Sequence, residues 1–285
     1  MSETGVIHDI GYRRYEGARL GRGHILRSLY AHSMRTAFGL GRGVKAKLFP
    51  WAVAGVVAAV AVVLTAINSR SPEPVSTYPE FVDSMSVPAI LFLAAAAPEL
   101  VSRDLRARVL TLYFARPVRR SDYVYAKLAA LISALFLVIA GPQLVIFAGA
   151  AFASDSVGEF RHHLTDLLGG WLYTGIFVVV TASLALLISS LTGRRMFSAA
   201  SVVGVFVVTI PMAAVIWEVG GDSVVRDLSG IATPTWLVMG IGDWLLGHEA
   251  VVDVKDLGPV YGAAGVALVA ACVAILLARY RRVEQ

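Results

Sequence analysis

Six stretches of this chain are apolar over ~20 residues each, the length a helix needs to cross the hydrocarbon core of a bilayer. The first is "LFPWAVAGVVAAVAVVLTAI", Leu48 to Ile67. The second runs from Phe81 to Val101 with Pro88 and Pro98 inside it, and the third from Tyr125 to Phe152 with "GPQ" at its middle. The fourth is Trp171 to Leu191, the fifth Met196 to Trp217, and the sixth Pro259 to Tyr280. Such runs leave few folds open, because lipid offers backbone N–H and C=O groups no partner. Helices satisfy those groups internally and closed barrels between strands, and these runs are about twice the length of a barrel strand. Composition agrees: 57% of the 285 residues are hydrophobic and 16% charged, where soluble domains carry about 25% charged residues. The expected fold is an all-α membrane protein. Residues 1–47 form a cytoplasmic leader and residues 48–285 a domain of six transmembrane helices, spans 48–67, 81–101, 125–152, 171–191, 196–217 and 259–280.

A seventh apolar stretch, "LSGIATPTWLVMGIGDWLLG" (Leu228 to Gly247), competes for a place among the spans, but Pro234, Asp243 and four glycines break and polarise it. Charge also argues against it. With six spans and the N-terminus inside, 21 of the 25 Lys and Arg fall on the cytoplasmic side, and the outside keeps Arg70, Arg161, Arg226 and Lys255. That asymmetry is the positive-inside pattern. A seventh span would send Arg279, Arg281 and Arg282 outside. Leu228–Gly247 is therefore expected as an external helical segment between the fifth and sixth spans, with Pro234, Trp236 and Trp244 forming an external gate at the headgroup level. The expected location is the cytoplasmic (inner) membrane, multi-pass, with both termini cytoplasmic. No cleavable signal peptide is expected, because the first apolar run begins only at Leu48. The net charge of +5 is spread over four loops, so it reads as an orientation signal, and nucleic acid is not an expected partner.

Ahead of the first span, "HILRSLYAHSMRTAF" (His24 to Phe38) sets Ile25, Leu26, Leu29, Tyr30 and Ala37 on one helical face and Arg27, Ser28, His32 and Arg35 on the other. This is an amphipathic helix suited to the interface, serving either as an anchor alone or also as a brace for the first span. "GLGRGVK" (Gly39 to Lys45) follows it as a hinge.

Between the second and third spans lies "RDLRARVLTLYFARPVRRSDYVYAK", Arg103 to Lys127, with seven bases and two aspartates. Nothing breaks a helix from Arg103 to Phe114. Leu105, Val109, Leu112 and Tyr113 share one side, while Leu110 and Phe114 form a second apolar flank beside Arg103 and Arg106. A solvated loop has no reason to expose two apolar flanks. One packing on the bundle and the other on a second protein accounts for both. Beyond Pro117, "SDY" (Ser121 to Tyr123) offers an N-cap for the third span.

"PELVSRDLRARVLTLYFARPVRRSDYVYAKLAA" resembles the segment after the second span in ABC-2 type transporter permeases. In that family an acidic residue ends the second span, a coupling helix follows, then a Pro-Val stretch with basic residues, and a lysine opens the third span. Glu99, Arg103–Phe114, "ARPVRR" and Lys127 hold those places here. The resemblance implies a permease subunit of an ATP-driven exporter for a hydrophobic or amphipathic cargo such as a lipid, drug or peptide. It implies energy coupling through Arg103, Leu105, Arg106, Val109 and Leu112. It also implies two ATP-binding cassette subunits as partners, and a second permease that is either another copy or a different chain.

The chain carries no "GxxxxGK[ST]" loop, so ATP and magnesium are expected in the partner, with no catalytic residue, cofactor or metal site in this chain. Cys272 stands alone, and the six histidines lack metal-ligand spacing, His162 and His163 being adjacent in an expected outer loop. Glu99 and Lys127 are candidates for an ion pair at the cytoplasmic ends of adjacent spans, or for separate snorkelling to the interface. Gly141, Pro142 and Gln143 are candidates for a kink or a pathway lining, or for helix packing with Gln143 bonded to a freed carbonyl. Two rival functions stand beside the exporter: an energy-independent carrier or channel, against which the lack of acids near the midplane counts, and a non-transporting scaffold or sensor.

Overall fold

The computed structural model describes residues 21–70, 75–102, 104, 119–221, 223–247, 251 and 254–282. Among these residues every regular element is helical. The elements are α1 (Arg22–Ala37), α2 (Val44–Asn68), α3 (Tyr78–Ser84), α4 (Ser86–Leu100), α5 (Arg120–Phe152), α6 (Val157–Leu191), α7 (Arg195–Val219), α8 (Val224–Asp227), α9 (Pro234–Leu246) and α10 (Gly258–Arg282). Helices α2, α5, α6, α7 and α10 are each long and apolar enough to cross a membrane. The pair α3 and α4 makes a sixth span if counted as one, bent by 56°. Helix α9 has 13 residues, ~20 Å of rise, which is short of the ~30 Å hydrocarbon core.

The break in the second span falls at Met85, not at either proline. Pro88 is the third residue of α4, where a backbone N–H would lack an intrahelical acceptor anyway. Helix α3 starts on a capping box, with Thr77 Oγ1 accepting from the Glu80 N–H and the Glu80 carboxylate accepting from the Thr77 N–H. That local stop and restart favours two short helices over one.

The fourth span is longer than expected. Helix α6 covers 35 residues, ~52 Å, so it carries residues 157–170 well beyond Trp171–Leu191. No proline interrupts it, and Ser156 Oγ caps its start by accepting from the Glu159 N–H. His162 and His163 therefore lie on a helix and not in a loop, with His162 Nδ1 3.4 Å from Asp166. The cap of α5 also differs from expectation: the helix starts at Arg120, and Asp122 reaches back from its first turn to accept the Arg119 N–H. Ser121 is already inside.

Helix α6 is the axis of the bundle, with 67% of its most apolar window buried, against 44% for α5 and 17–22% for α2, α7 and α10. Its Tyr173, Phe177 and Leu186 meet Leu131 and Leu135 of α5 and Phe92 and Leu93 of α4 in one core. In lipid such contacts stabilise through close packing and hydrogen bonds, not through release of water. Helix α1 turns Leu29, Ser33, Thr36 and Ala37 into the bundle against α4 and α5, and leaves Arg27, Ser28, His32 and Arg35 exposed. Its apolar face is thus occupied by protein, and the helices it packs on are α4 and α5 rather than the first span, α2. The hinge to α2 is tightly set: Gly39 has φ 67°, and a Cβ there would collide with the Ala46 carbonyl.

Candidate functional site at the two ends of the bundle

At the arginine-rich end, three carboxylates gather the helix termini. Glu99, in the last turn of α4, accepts from Arg42 of the α1–α2 hinge and, at 2.6 Å, from Arg195 at the start of α7. Asp104, just beyond α4, takes Lys127 Nζ at 2.8 Å and the Tyr123 hydroxyl at 2.8 Å, both from α5. Asp122 in α5 receives the guanidinium fork of Arg22 from α1, with Nε at 2.7 Å. Ser102 Oγ donates to the Ser189 carbonyl of α6 at 2.8 Å, and Arg120 donates to the Arg281 carbonyl of α10. Tyr123 and Tyr280 pack ring to ring, 5.2 Å apart.

This arrangement corrects one expectation. Glu99 and Lys127 do not form a pair with each other: Lys127 bonds Asp104, and Glu99 bonds Arg42 and Arg195. Lys127 sits almost two turns into α5 with its side chain 3% exposed, too deep to snorkel, and Asp104 is the acid that follows α4 toward it. The expected coupling residues Arg103, Leu105, Arg106, Val109 and Leu112 lie outside the described residues, and Asp104 is the one position of that segment inside them.

At the opposite end, aromatic rings sit on glycines. A Cβ at Gly242 of α9 would overlap Tyr173 of α6, one at Gly240 would overlap Tyr261 of α10, and one at Gly258 would overlap Trp244 of α9. Tyr173 donates to Asp83 of α3 at 2.6 Å, and Tyr261 donates to the Asp227 carbonyl at 2.6 Å. Asp243 accepts the Val254 N–H at 3.3 Å, and Thr209 donates to Thr233 at 3.1 Å. Of the expected gate residues, Pro234 opens α9 and is buried, Trp236 is half-buried, and Trp244 is exposed on one edge while packed on α10. The segment is seated on α6, α7 and α10.

Gly141 and Pro142 lie within α5, which continues as one helix to Phe152. Gln143 is fully buried, and its Nε2 donates to Thr174 Oγ1 at 2.9 Å while Thr174 donates to the Gly170 carbonyl. It bonds a side chain of α6, not a carbonyl freed by Pro142. That places Gln143 in helix packing. Sequence reasoning passed over Asp83, although a single acid in "FVDSM", inside an apolar run, marks it. Among the described residues, no group of three His, Cys, Asp or Glu is placed to hold a metal ion.

The class these features define is a helical protein with five or six helices able to cross a membrane. No protein-family profile matches this chain, and no curated protein matches it.

Proposed function

We propose that this chain is the membrane-spanning permease subunit of an ATP-driven exporter, energised by separate ATP-binding subunits that dock on the 103–114 segment. The observation that carries the reading is the set of carboxylates around that segment. Glu99 and Asp104 stand at its start and Asp122 near its end, and together they hold cations from α1, the α1–α2 hinge, α5 and α7. A push on 105–118 is thereby delivered to most of the bundle at once. The cargo this reading favours is hydrophobic or amphipathic, because the faces of α2, α7 and α10 are apolar and offer few polar groups. The seated α9 supplies an exit cover. In this reading the arginine-rich end is cytoplasmic, following the positive-inside rule.

The test is co-expression with candidate ATP-binding cassette subunits and co-purification, wild type against Leu105→Asp with Val109→Asp. Loss of the complex and of its ATP hydrolysis is expected. Survival of both overturns the reading. One observation favours a second reading, a carrier driven by ions: Asp83 is a partly buried carboxylate at the break of the second span. Helix α4 has 15 residues, which places that break ~22 Å from the basic end, inside the hydrocarbon thickness. Asp83→Asn abolishes transport in that reading and leaves ATP-driven transport in place in the first.

A further inference from the structure

Helix α4 presents one open stripe. Val87, Leu91, Ala95 and Glu99 recur every four residues and so share a face. Val87 and Leu91 are exposed and Ala95 and Glu99 half-buried, while most of the helix is buried. Glu99 at the foot of the stripe reaches both Arg42, ahead of α2, and Arg195, at the start of α7. The stripe therefore opens between α2 and α7, which both pack on α4.

This lane is apolar along its length and strongly cationic at its foot. One carboxylate, Glu99, serves two guanidiniums. Lys45 and Lys47 in the first turn of α2 and Arg194 before α7 add three more cations, and none of these has a carboxylate partner among the described residues. Beside them α2 exposes Leu48, Phe49 and Trp51, and α7 exposes Met196 and Phe197. Large exposed apolar side chains within a turn of cations that lack a carboxylate partner, Arg194 lying over the Phe197 ring at 5.9 Å from its centroid, are the chemistry of a lipid headgroup boundary. The geometry points to an anionic phospholipid as the occupant of this lane, its phosphate at Lys47 and Arg194 and its acyl chains along Val87 and Leu91. Lys45, two residues before Lys47 and so on another side of α2, adds only to the surrounding positive charge. Charge complementarity selects this occupant. A second copy brought onto the lane by a two-fold axis would set the same excess of cations against itself. The inference goes beyond the exporter reading and needs only that the lane faces a membrane.

The test uses the full chain, purified in neutral detergent and offered equal amounts of phosphatidylglycerol and phosphatidylcholine, with bound lipid counted by native mass spectrometry. Retention of phosphatidylglycerol over phosphatidylcholine is expected. Lys47→Gln and Arg194→Gln, singly and combined, should lower that preference about fivefold for each charge removed, and Lys45→Gln should lower it less. Leu91→Trp, which fills the lane without changing charge, should also reduce lipid retention. Arg161→Gln, on the far extension of α6, should leave the preference intact. Equal retention of the two lipids by the wild type overturns the proposal, as does an unchanged preference in the variant that combines Lys47→Gln and Arg194→Gln. A lipid-free dimer that loses its dimeric state on Leu91→Trp overturns it in favour of a second copy.

Discussion

The two ends of this bundle are joined by opposite kinds of contact. At the basic end, Glu99, Asp104 and Asp122 tie α1, the hinge, α5 and α7 through charge. At the far end, Tyr173, Tyr261 and Trp244 lie on Gly242, Gly240 and Gly258, and shape does most of the joining. The difference has mechanical meaning. In the ion pairs of Arg22 and Arg195 the cations are half exposed, with side chains 47% and 58% exposed, so water can replace either one while its carboxylate keeps another donor, the Arg119 N–H for Asp122 and Arg42 for Glu99. Close-packed rings on glycines have no intermediate setting, because packed contacts are lost together or kept together. Contacts at the basic end can be exchanged one at a time, whereas those at the far end are kept or lost together.

The comparison breaks first at Asp104. If every pair at the basic end were exchangeable, Asp104→Ala would be mild, but its partner Lys127 is almost wholly buried. We expect a loss of ~3 kcal/mol, the scale for removing one member of a buried pair, read from unfolding in mixed micelles. Gly242→Leu tests the far end: forcing a side chain against Tyr173 should cost about 2 kcal/mol through overpacking and raise proteolysis around α9. Tyr173→Phe sharpens the same contact by keeping the ring and deleting its bond to Asp83, for a loss of about 1 kcal/mol. Gln143→Ala removes an interhelical bond inside the bundle and should cost roughly 0.6 kcal/mol, the average for such bonds in membrane proteins. Arg22→Ala should give the smallest effect, and high salt should shrink it further, because the Arg22 side chain is half exposed while the buried Asp122 keeps its bond from the Arg119 N–H. A large, salt-insensitive loss in Arg22→Ala would erase the contrast between the ends.

Much of the fold was legible because lipid makes helix formation compulsory along apolar runs. Leu48–Ile67, Met196–Trp217 and Pro259–Tyr280 each fall inside one helix, α2, α7 and α10. The bend at Met85 was not legible, since Pro88 and Pro98 are louder signals than the Thr77–Glu80 cap that starts α3. The length of α6 was hidden for the converse reason: "EFRHHLTD" reads as polar loop, yet its helix is sustained by Ser156 and by packing of Gly170 against Tyr78. The acids of the site were visible singly but not their partners. Glu99 was singled out, and pairing it with Lys127 was reasonable from adjacency. Arg42 and Arg195 are 57 residues before it and 96 after it, and only the folded bundle brings them together. The glycine seats of α9 were equally silent, because "GIGDW" looks like a helix breaker until aromatic rings are placed against it.

Under the proposed exporter function, force entering at the basic end would release the packed segment at the far end. Backbone hydrogen exchange across Pro234–Leu246 tests this most directly, measured in a complex with the proposed ATP-binding subunit, with and without a non-hydrolysable ATP analogue. The account expects the amides of α9 to lose protection together when the nucleotide binds, and to keep it in the Leu105→Asp, Val109→Asp chain. Unchanged protection of α9 in a complex that binds and hydrolyses ATP would contradict it.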